Sequence, residues 1–428
     1  MNRISLAPIL CMLGGLLLSQ SAFSQENRID QVGPDAPELA SFGEFDIGVR
    51  TLNLLDEGRI DVLNTPRGGE TVLYNRGLTI EVWYPAQLDS GQQRAGSYRA
   101  ITRNPDIVAT LNGRAVRDAN PLAVEMAFPL IIVSHGYPGN RFLMSHVGES
   151  LASKGYVVAS IDHRESTYDD QQSIMSTFYH RPLDQRFVLD SLATLSNHGD
   201  SFLFELVDAD STGIVGFSMG GYGLLNNLGA GFSEAMIENL MAPPNGLLAE
   251  HTFRNPDYQS NLDPRIKAGF AVAPWGMNSG FFTEEVLTGI ETPTFYLAGS
   301  VDETAGYEEG TRAIFESAIN SDRYLLTFEG AGHSAGAPIP PPVELLDVDD
   351  PRVNHYTDAV WENVEMNNIM DHFITAFFDH YLKTNEGSLE YLPRDQGGAE
   401  SFADAKNWKG FAAENTKGLS LEFLNSGN

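Results

Sequence analysis

The chain has 428 residues, of which 42% are hydrophobic and 10% aromatic, enough to bury one large core or two ordinary ones. Its formal charge is −30, from 57 acidic against 27 basic residues, so nucleic acid and anionic lipid are excluded as electrostatic partners. A single cysteine, Cys11, excludes a disulfide framework within the chain.

Taken from the N-terminus, Arg3 precedes an apolar run from Leu6 to Leu18, and Ala22-Phe23-Ser24 follows with small residues where a signal peptidase reads. The run is shorter than the ~20 residues of a bilayer span. Residues 1–24 are therefore expected to be a signal peptide and the protein to be exported to the periplasm or the medium. Residues 25–44 are polar and expected to be loose.

From Phe45 the chain alternates short β-rich runs with helical patterns, which predicts an α/β domain over 45–385. Strands are predicted at Leu78–Tyr84, Pro129–Ser134, Tyr156–Ile161, Thr212–Val215, Ile266–Ala273, Thr294–Ala298 and Tyr324–Phe328. The continuously apolar ones suit a parallel sheet covered on both faces. Helices are predicted at Met144–Lys154 and Pro182–Leu195, and another where Ile369, Phe373, Phe377 and Tyr381 form one stripe. Residues 386–428 read as a C-terminal extension.

Three segments, 229–264, 276–291 and 335–361, are too long for plain connections, which points to functional rims. In the first, Phe232, Met236 and Leu240, with Ile237 and Met241, fall at helical spacing until Pro243-Pro244 breaks the pattern. Two short amphipathic pieces are expected there, capping a cleft as a lid.

Chemistry concentrates at Gly216-Phe217-Ser218-Met219-Gly220-Gly221, between the strand residues Ile214 and Val215 and the helical stretch Tyr222–Leu228. A serine on so sharp a strand-to-helix turn, flanked by glycines, reads as an exposed nucleophile. It needs a base and an orienting acid, in the order serine, acid, histidine. His333, His355, His372 and His380 follow Ser218 with room for an acid between. His333 is favoured, because it stands in a small-residue loop directly after a predicted strand. Asp302, after the preceding strand, is the expected acid, with Glu303 as alternative. The oxyanion of an acyl transfer needs donors; the backbone N–H of Met219 is one. That of Tyr137, in Ser134-His135-Gly136-Tyr137-Pro138-Gly139, is the other, since Pro138 has no N–H.

Asp162-His163-Arg164 reads as a hydrogen-bonded loop, and Arg181 with Asp184 and Asp190 as a structural ion-pair cluster. Asp347, Asp349 and Asp350 lack the glycine turn and twelfth-position glutamate of a calcium loop. No metal-ligand spacing or dinucleotide glycine pattern appears, so neither a metal nor a cofactor is expected.

Val49-Arg50-Thr51, Asp56 to Arg59, Val82-Trp83-Tyr84-Pro85, His135-Gly136, Gly155-Tyr156-Val157-Val158, Arg181-Pro182-x-Asp184 and the Ser218 turn resemble the platelet-activating-factor acetylhydrolase and dienelactone-hydrolase-like branch of the α/β-hydrolases. The resemblance spans roughly residues 43 to 385. Tyr137, Gly216 to Gly221 and Ala273-Pro274-Trp275 are similar to the cutinase and polyester-hydrolase relatives. The resemblance implies the α/β-hydrolase fold, a mostly parallel central sheet flanked by helices, here with an inserted cap segment. It also implies a serine carboxylic ester hydrolase with Ser218, Asp302 and His333 catalytic, Tyr137 and Met219 in the oxyanion hole, and Trp275 lining the substrate cleft. Small cutinases have nothing like 229–264, and their C-terminal disulfide has no counterpart here. A lidded pocket for short-acyl esters is accordingly the expectation. A polyester substrate is the alternative; a peptidase or a non-catalytic binding module stands further off.

Overall fold

The computed structural model describes residues 26–123, 126–392, 394 and 407–427; the expected signal peptide lies outside them. The centre of the fold is a mixed sheet whose main strands are β1 (Asp46–Ile60), β2 (Leu73–Gln87), β3 (Phe128–Ser134), β4 (Val157–Asp162), β5 (Val207–Phe217), β6 (Ile266–Val272), β7 (Thr294–Gly299), β8 (Arg323–Phe328) and β9 (Leu419–Leu424). Their spatial order is β9-β8-β7-β6-β5-β3-β4-β2-β1. The six strands from β8 to β4 run parallel, while β9, β2 and β1 join antiparallel.

The parallel strands are apolar on both faces because helices cover both. Helices α1 (Ser145–Ser153) and α4 (Asn363–Tyr381) share one buried cluster with Ile131, Val133, Val215 and Phe270. Helices α2 (Ile174–Ser196) and α3 (Met219–Asn227) share the other with Ile132, Ile214 and Ala271. Among the described residues no helix is long and apolar enough to cross a membrane.

Four expectations require correction. The helix expected from Pro182 begins two turns earlier, at Ile174, capped by the Ser173 side chain, so Pro182 is interior. A proline there leaves the carbonyl four residues back without its N–H partner. That carbonyl belongs to Phe178, and the buried Tyr222 hydroxyl donates to it at 3.0 Å. The helix is thus repaired from outside, by a neighbour the local sequence does not show.

Residues 26–44 are not loose: Asn27–Arg28 pairs with Leu111–Asn112, Ile29 and Ala40 are buried, and the Lys154 ammonium donates to the Leu39 carbonyl. Nor is the C-terminal stretch outside the domain, since β9 closes the β8 edge of the sheet while Trp408 and Phe411 pack against Phe373.

The segment 229–264 does not form amphipathic helices over a cleft. It makes only short helical pieces at Glu234–Met236, Pro244–His251, broken at Asn245 and Gly246, and Pro256–Ser260. Phe232 stacks on Tyr222 of α3 at 4.8 Å, and Met236 and Leu248 join the same core, whereas Leu240 is 91% exposed. The apolar residues cover the helix layer because α3 leaves Tyr222 beside Phe281 and Phe282, and Phe232 completes that aromatic cluster.

Candidate active site

Ser218 sits between β5 and α3 with φ 52° and ψ −111°, a left-handed conformation that costs a non-glycine residue about 1–3 kcal/mol. Neighbouring strands hold it there. Its N–H donates to Val272 of β6 at 2.9 Å, and its carbonyl accepts from Tyr222 at 3.0 Å and Trp275 at 3.2 Å. Glycine is required on either side: a Cβ on Gly216 would lie 2.5 Å from the backbone of Gly220, and one on Gly220 would strike the Ser134 carbonyl.

His333 follows β8, and Asp302 follows β7. The topology brings both to Ser218. His333 Nδ1 lies 2.8 Å from Asp302 Oδ2, and its Nε2 lies 2.9 Å from Ser218 Oγ. The carboxylate can only accept, so Nδ1 carries the proton and Nε2 is left to accept from the serine hydroxyl. The other oxygen of Asp302 accepts from the N–H groups of Thr304 at 2.8 Å and Ala305 at 3.0 Å, which fixes the carboxylate in place. Glu303, the alternative acid, is exposed. His372 lies on α4, where its Nδ1 takes the Leu39 N–H, and His380 lies near the end of that helix.

A cavity of about 710 Å3 opens over this group. Gly136, Tyr137 and Pro138 form one wall, while Arg103 and residues 354, 355 and 357–359 form another. The rim therefore comes from 335–361 and not from 229–264, which contributes no residue. Among the described residues, no acceptor takes the N–H of Tyr137 or that of Met219, the first residue of α3. Trp275 does not line the cavity; its half-buried indole stacks on Phe178 at 5.6 Å with 12° between the planes.

The loop carrying Tyr137 rests on a second, sealed group. Ser134 Oγ lies 2.8 Å from His163 Nε2, and His163 Nδ1 lies 3.0 Å from Asp184 Oδ2. Arg76 clamps Asp184 through two bonds of 2.8 and 2.9 Å, and Arg181 donates to the carbonyls of His135 and Gly136. Burial pushes His163 down to about 3, and the Arg181 charge adds to that. Despite burial, the Arg76 charge and the His163 and Arg76 hydrogen bonds hold Asp184 well below the usual carboxylate range.

Sequence reasoning did not single out Arg103, Asp358 or Tyr168. The place of Arg103 at the rim is set by pairing between two distant segments: the Arg103 N–H donates to the Tyr356 hydroxyl at 2.9 Å, and the Asn104 amide to Asp350 at 2.7 Å. No spacing rule links residues so far apart. His355 stands in the cavity bonded to Tyr168 at 2.9 Å. Burial, with the charges of Arg103 and His333 next, keeps it neutral. No group of His, Cys, Asp and Glu that could hold a metal is found among the described residues. A larger cavity, about 870 Å3, lies at the opposite ends of the strands around Phe128, Pro129 and Val207, away from Ser218.

Residues 118–240 match the PETase family model, described as PET hydrolase-like. Platelet-activating factor acetylhydrolase of Canis lupus familiaris is 36% identical over 151 residues, 32% of this chain and 31% of that protein. Cutinase est2 of Thermobifida alba is 24% identical over 206 residues, 48% of this chain and 52% of that protein. The chain thus spans about a third to a half of these curated relatives. A solved ferulic acid esterase from Streptomyces cinnamoneus superposes with a TM-score of 0.55 at 21% identity, over 84% of this chain and 94% of that one.

Proposed function

We propose that this chain, an α/β-hydrolase similar to the esterases just named, is itself a carboxylic ester hydrolase that works through an acyl-enzyme on Ser218. The observation that carries the proposal is the unbroken hydrogen-bond chain from Ser218 through His333 to Asp302, opening on a cavity. In this reading Ser218 Oγ attacks the ester carbonyl carbon while His333 Nε2 takes its proton. The N–H groups of Met219 and Tyr137 receive the oxyanion, each donor lowering the barrier by about 3 kcal/mol. His333 then protonates the departing alkoxide. Deacylation runs the same path with water as nucleophile. Asp302 holds the imidazole in the tautomer that can do this and stabilises it once protonated.

The cavity volume lies within the ~300–1,000 Å3 of small-molecule sites, which supports a small ester as substrate. The PET hydrolase-like match over 118–240 favours a second reading, a polyester substrate. Residues 1–24 add export by a cleaved leader, tested by the N-terminus of the protein recovered outside the cytoplasm.

A fluorophosphonate probe is expected to label the wild type and not Ser218→Ala, with parallel loss of nitrophenyl-ester turnover. Labelling of Ser218→Ala, or ester turnover that survives in it, would overturn the assignment. An acyl-chain series extended to polyester film separates the two substrate readings.

A further inference from the structure

We infer that the ester substrate carries an anionic group, a carboxylate or a phosphate, which Arg103 holds at the wall of the Ser218 cavity. The inference rests on the ester-hydrolase reading and narrows its substrate class.

In a chain with 57 acidic and 27 basic residues, an arginine has ample chance of an acidic partner. Two arginines on neighbouring segments have such a partner: Arg141 pairs with Asp162 and Glu81, and Arg352 with Asp350. Arg103 does not. It lines the cavity half-buried, and no carboxylate among the described residues comes within ion-pairing distance of it. Its neighbours are neutral: Nη1 donates to the Pro138 carbonyl at 3.3 Å, and the Tyr168 hydroxyl lies close enough to feel its charge. Pro138 directly follows Tyr137, the proposed oxyanion donor, so the cation touches the loop that carries that donor and lines the same cavity as Ser218. A guanidinium has five N–H donors, more than these two neighbours can use.

The surroundings suit an anion further. The side chains of Asn354 and Thr357 line the same cavity and donate to no protein acceptor among the described residues. Among the described residues that line the cavity the acid is Asp358, and its carboxylate is already held by the N–H groups of Gly332 and Val360, both at 2.8 Å, and Trp361 at 3.0 Å. His355, beside Arg103, is neutral and adds no charge. A planar guanidinium with free donors takes carboxylate and phosphate oxygens in pairs.

The test compares kcat/KM for matched esters in wild type, Arg103→Gln and Arg103→Glu. Para-acetoxybenzoate and para-acetoxyphenyl phosphate are set against the neutral para-acetoxybenzamide. Phenyl monoadipate against the phenyl ester of adipic monoamide places the charge on the acyl side instead. The wild type is expected to prefer an anionic ester over its neutral match by about tenfold or more, the usual discrimination of a charged hydrogen bond. Arg103→Gln should remove that preference, and Arg103→Glu should invert it. Whether the carboxylate or the phosphate gives the larger ratio identifies the source of the anion. If Arg103→Gln does not fold, Arg103→Lys keeps the preference in part, and in the wild type the ratio falls as ionic strength rises from about 20 mM to about 0.5 M. A ratio near one in the wild type, or one unmoved by Arg103→Gln, overturns the inference while leaving the hydrolase reading intact. If the folded wild type turns over neither member of any pair, the hydrolase reading falls first.

Discussion

Among the described residues, two Ser–His–Asp chains have almost the same dimensions. Ser218–His333–Asp302 measures 2.9 and 2.8 Å, and Ser134–His163–Asp184 measures 2.8 and 3.0 Å. What separates them is everything around the bonds. Ser218 is raised on a left-handed turn at a cavity, with two unclaimed N–H groups nearby, whereas Ser134 ends an ordinary strand and is sealed. Asp302 is fixed by backbone N–H groups and His333 retains 18% exposure, while Asp184 is clamped by Arg76 and His163 is shut off from water. Residue types and distances therefore do not by themselves separate a proposed catalytic triad from a structural one; access, a strained serine backbone and unclaimed N–H groups do. The sealed chain instead supports the Tyr137 loop.

The widest contrast is expected between the two serines. Ser218→Ala should cut ester turnover by roughly four orders of magnitude or more with the melting temperature nearly unchanged. Ser134→Ala should leave most activity but lose about 1–3 kcal/mol, because His163 Nε2 is left unpaired in the interior. Fluorophosphonate labelling of Ser134 would reverse the assignment.

The two aspartates should divide in the same way. Asp302→Asn should lower kcat by about 10⁴-fold with little change in stability. Asp184→Asn should cost about 3–5 kcal/mol, since Arg76 keeps a buried charge with its clamp broken. Chemical denaturation and steady-state kinetics on both variants decide this, and equal stability losses would erase the distinction.

Gly220→Ala reaches both chains at once, because its Cβ would press on the carbonyls of Ser134 and His135. Relief must come from the loop that carries Tyr137. Loss of kcat is expected to exceed the loss of stability, which overpacking of this kind sets at about 1–3 kcal/mol. Unchanged kcat would show that the loop yields without moving the oxyanion donor.

The remaining effect is one of pH. His163 is held down to about 3, His372 to about 3 and His251 to about 4, each chiefly by burial. The unfolded chain takes these protons near 6.5 and the folded one refuses them, so stability rises with pH across that window and falls on acidification. Each group contributes up to about 1.4 kcal/mol per pH unit. Below the ordinary carboxylate range, Asp184 adds to the loss in the same direction. Melting temperature should begin to drop as pH passes below 6.5; a flat curve from 6.5 to 4.5 would mean that the buried histidines accept protons in the folded state.

Much of this was legible along the chain. The parallel strands stand out as apolar runs because helices cover both faces. The turn at Ser218 is recognisable because its glycines answer a local steric need. Asp302 and His333 could be named because each follows a strand, and in a parallel sheet all such loops meet at one edge. Pro182 inside a helix, the packing of 229–264 and the place of Arg103 in the cleft wall were not legible.

What the sequence determined by itself is whatever depends on neighbours in the chain: strand and helix periodicity, the elbow glycines, the order serine, acid, histidine. The tertiary structure alone decided which apolar surface a segment covers, how a proline is accommodated inside a helix, and that Arg103 stands in the cavity wall without an acid. Those outcomes turn on side chains far apart in sequence, such as Tyr222 reaching the carbonyl Pro182 leaves open or Tyr356 pinning Arg103. Local pattern carries no information about such pairs, because only the packed chain brings their atoms within hydrogen-bonding range.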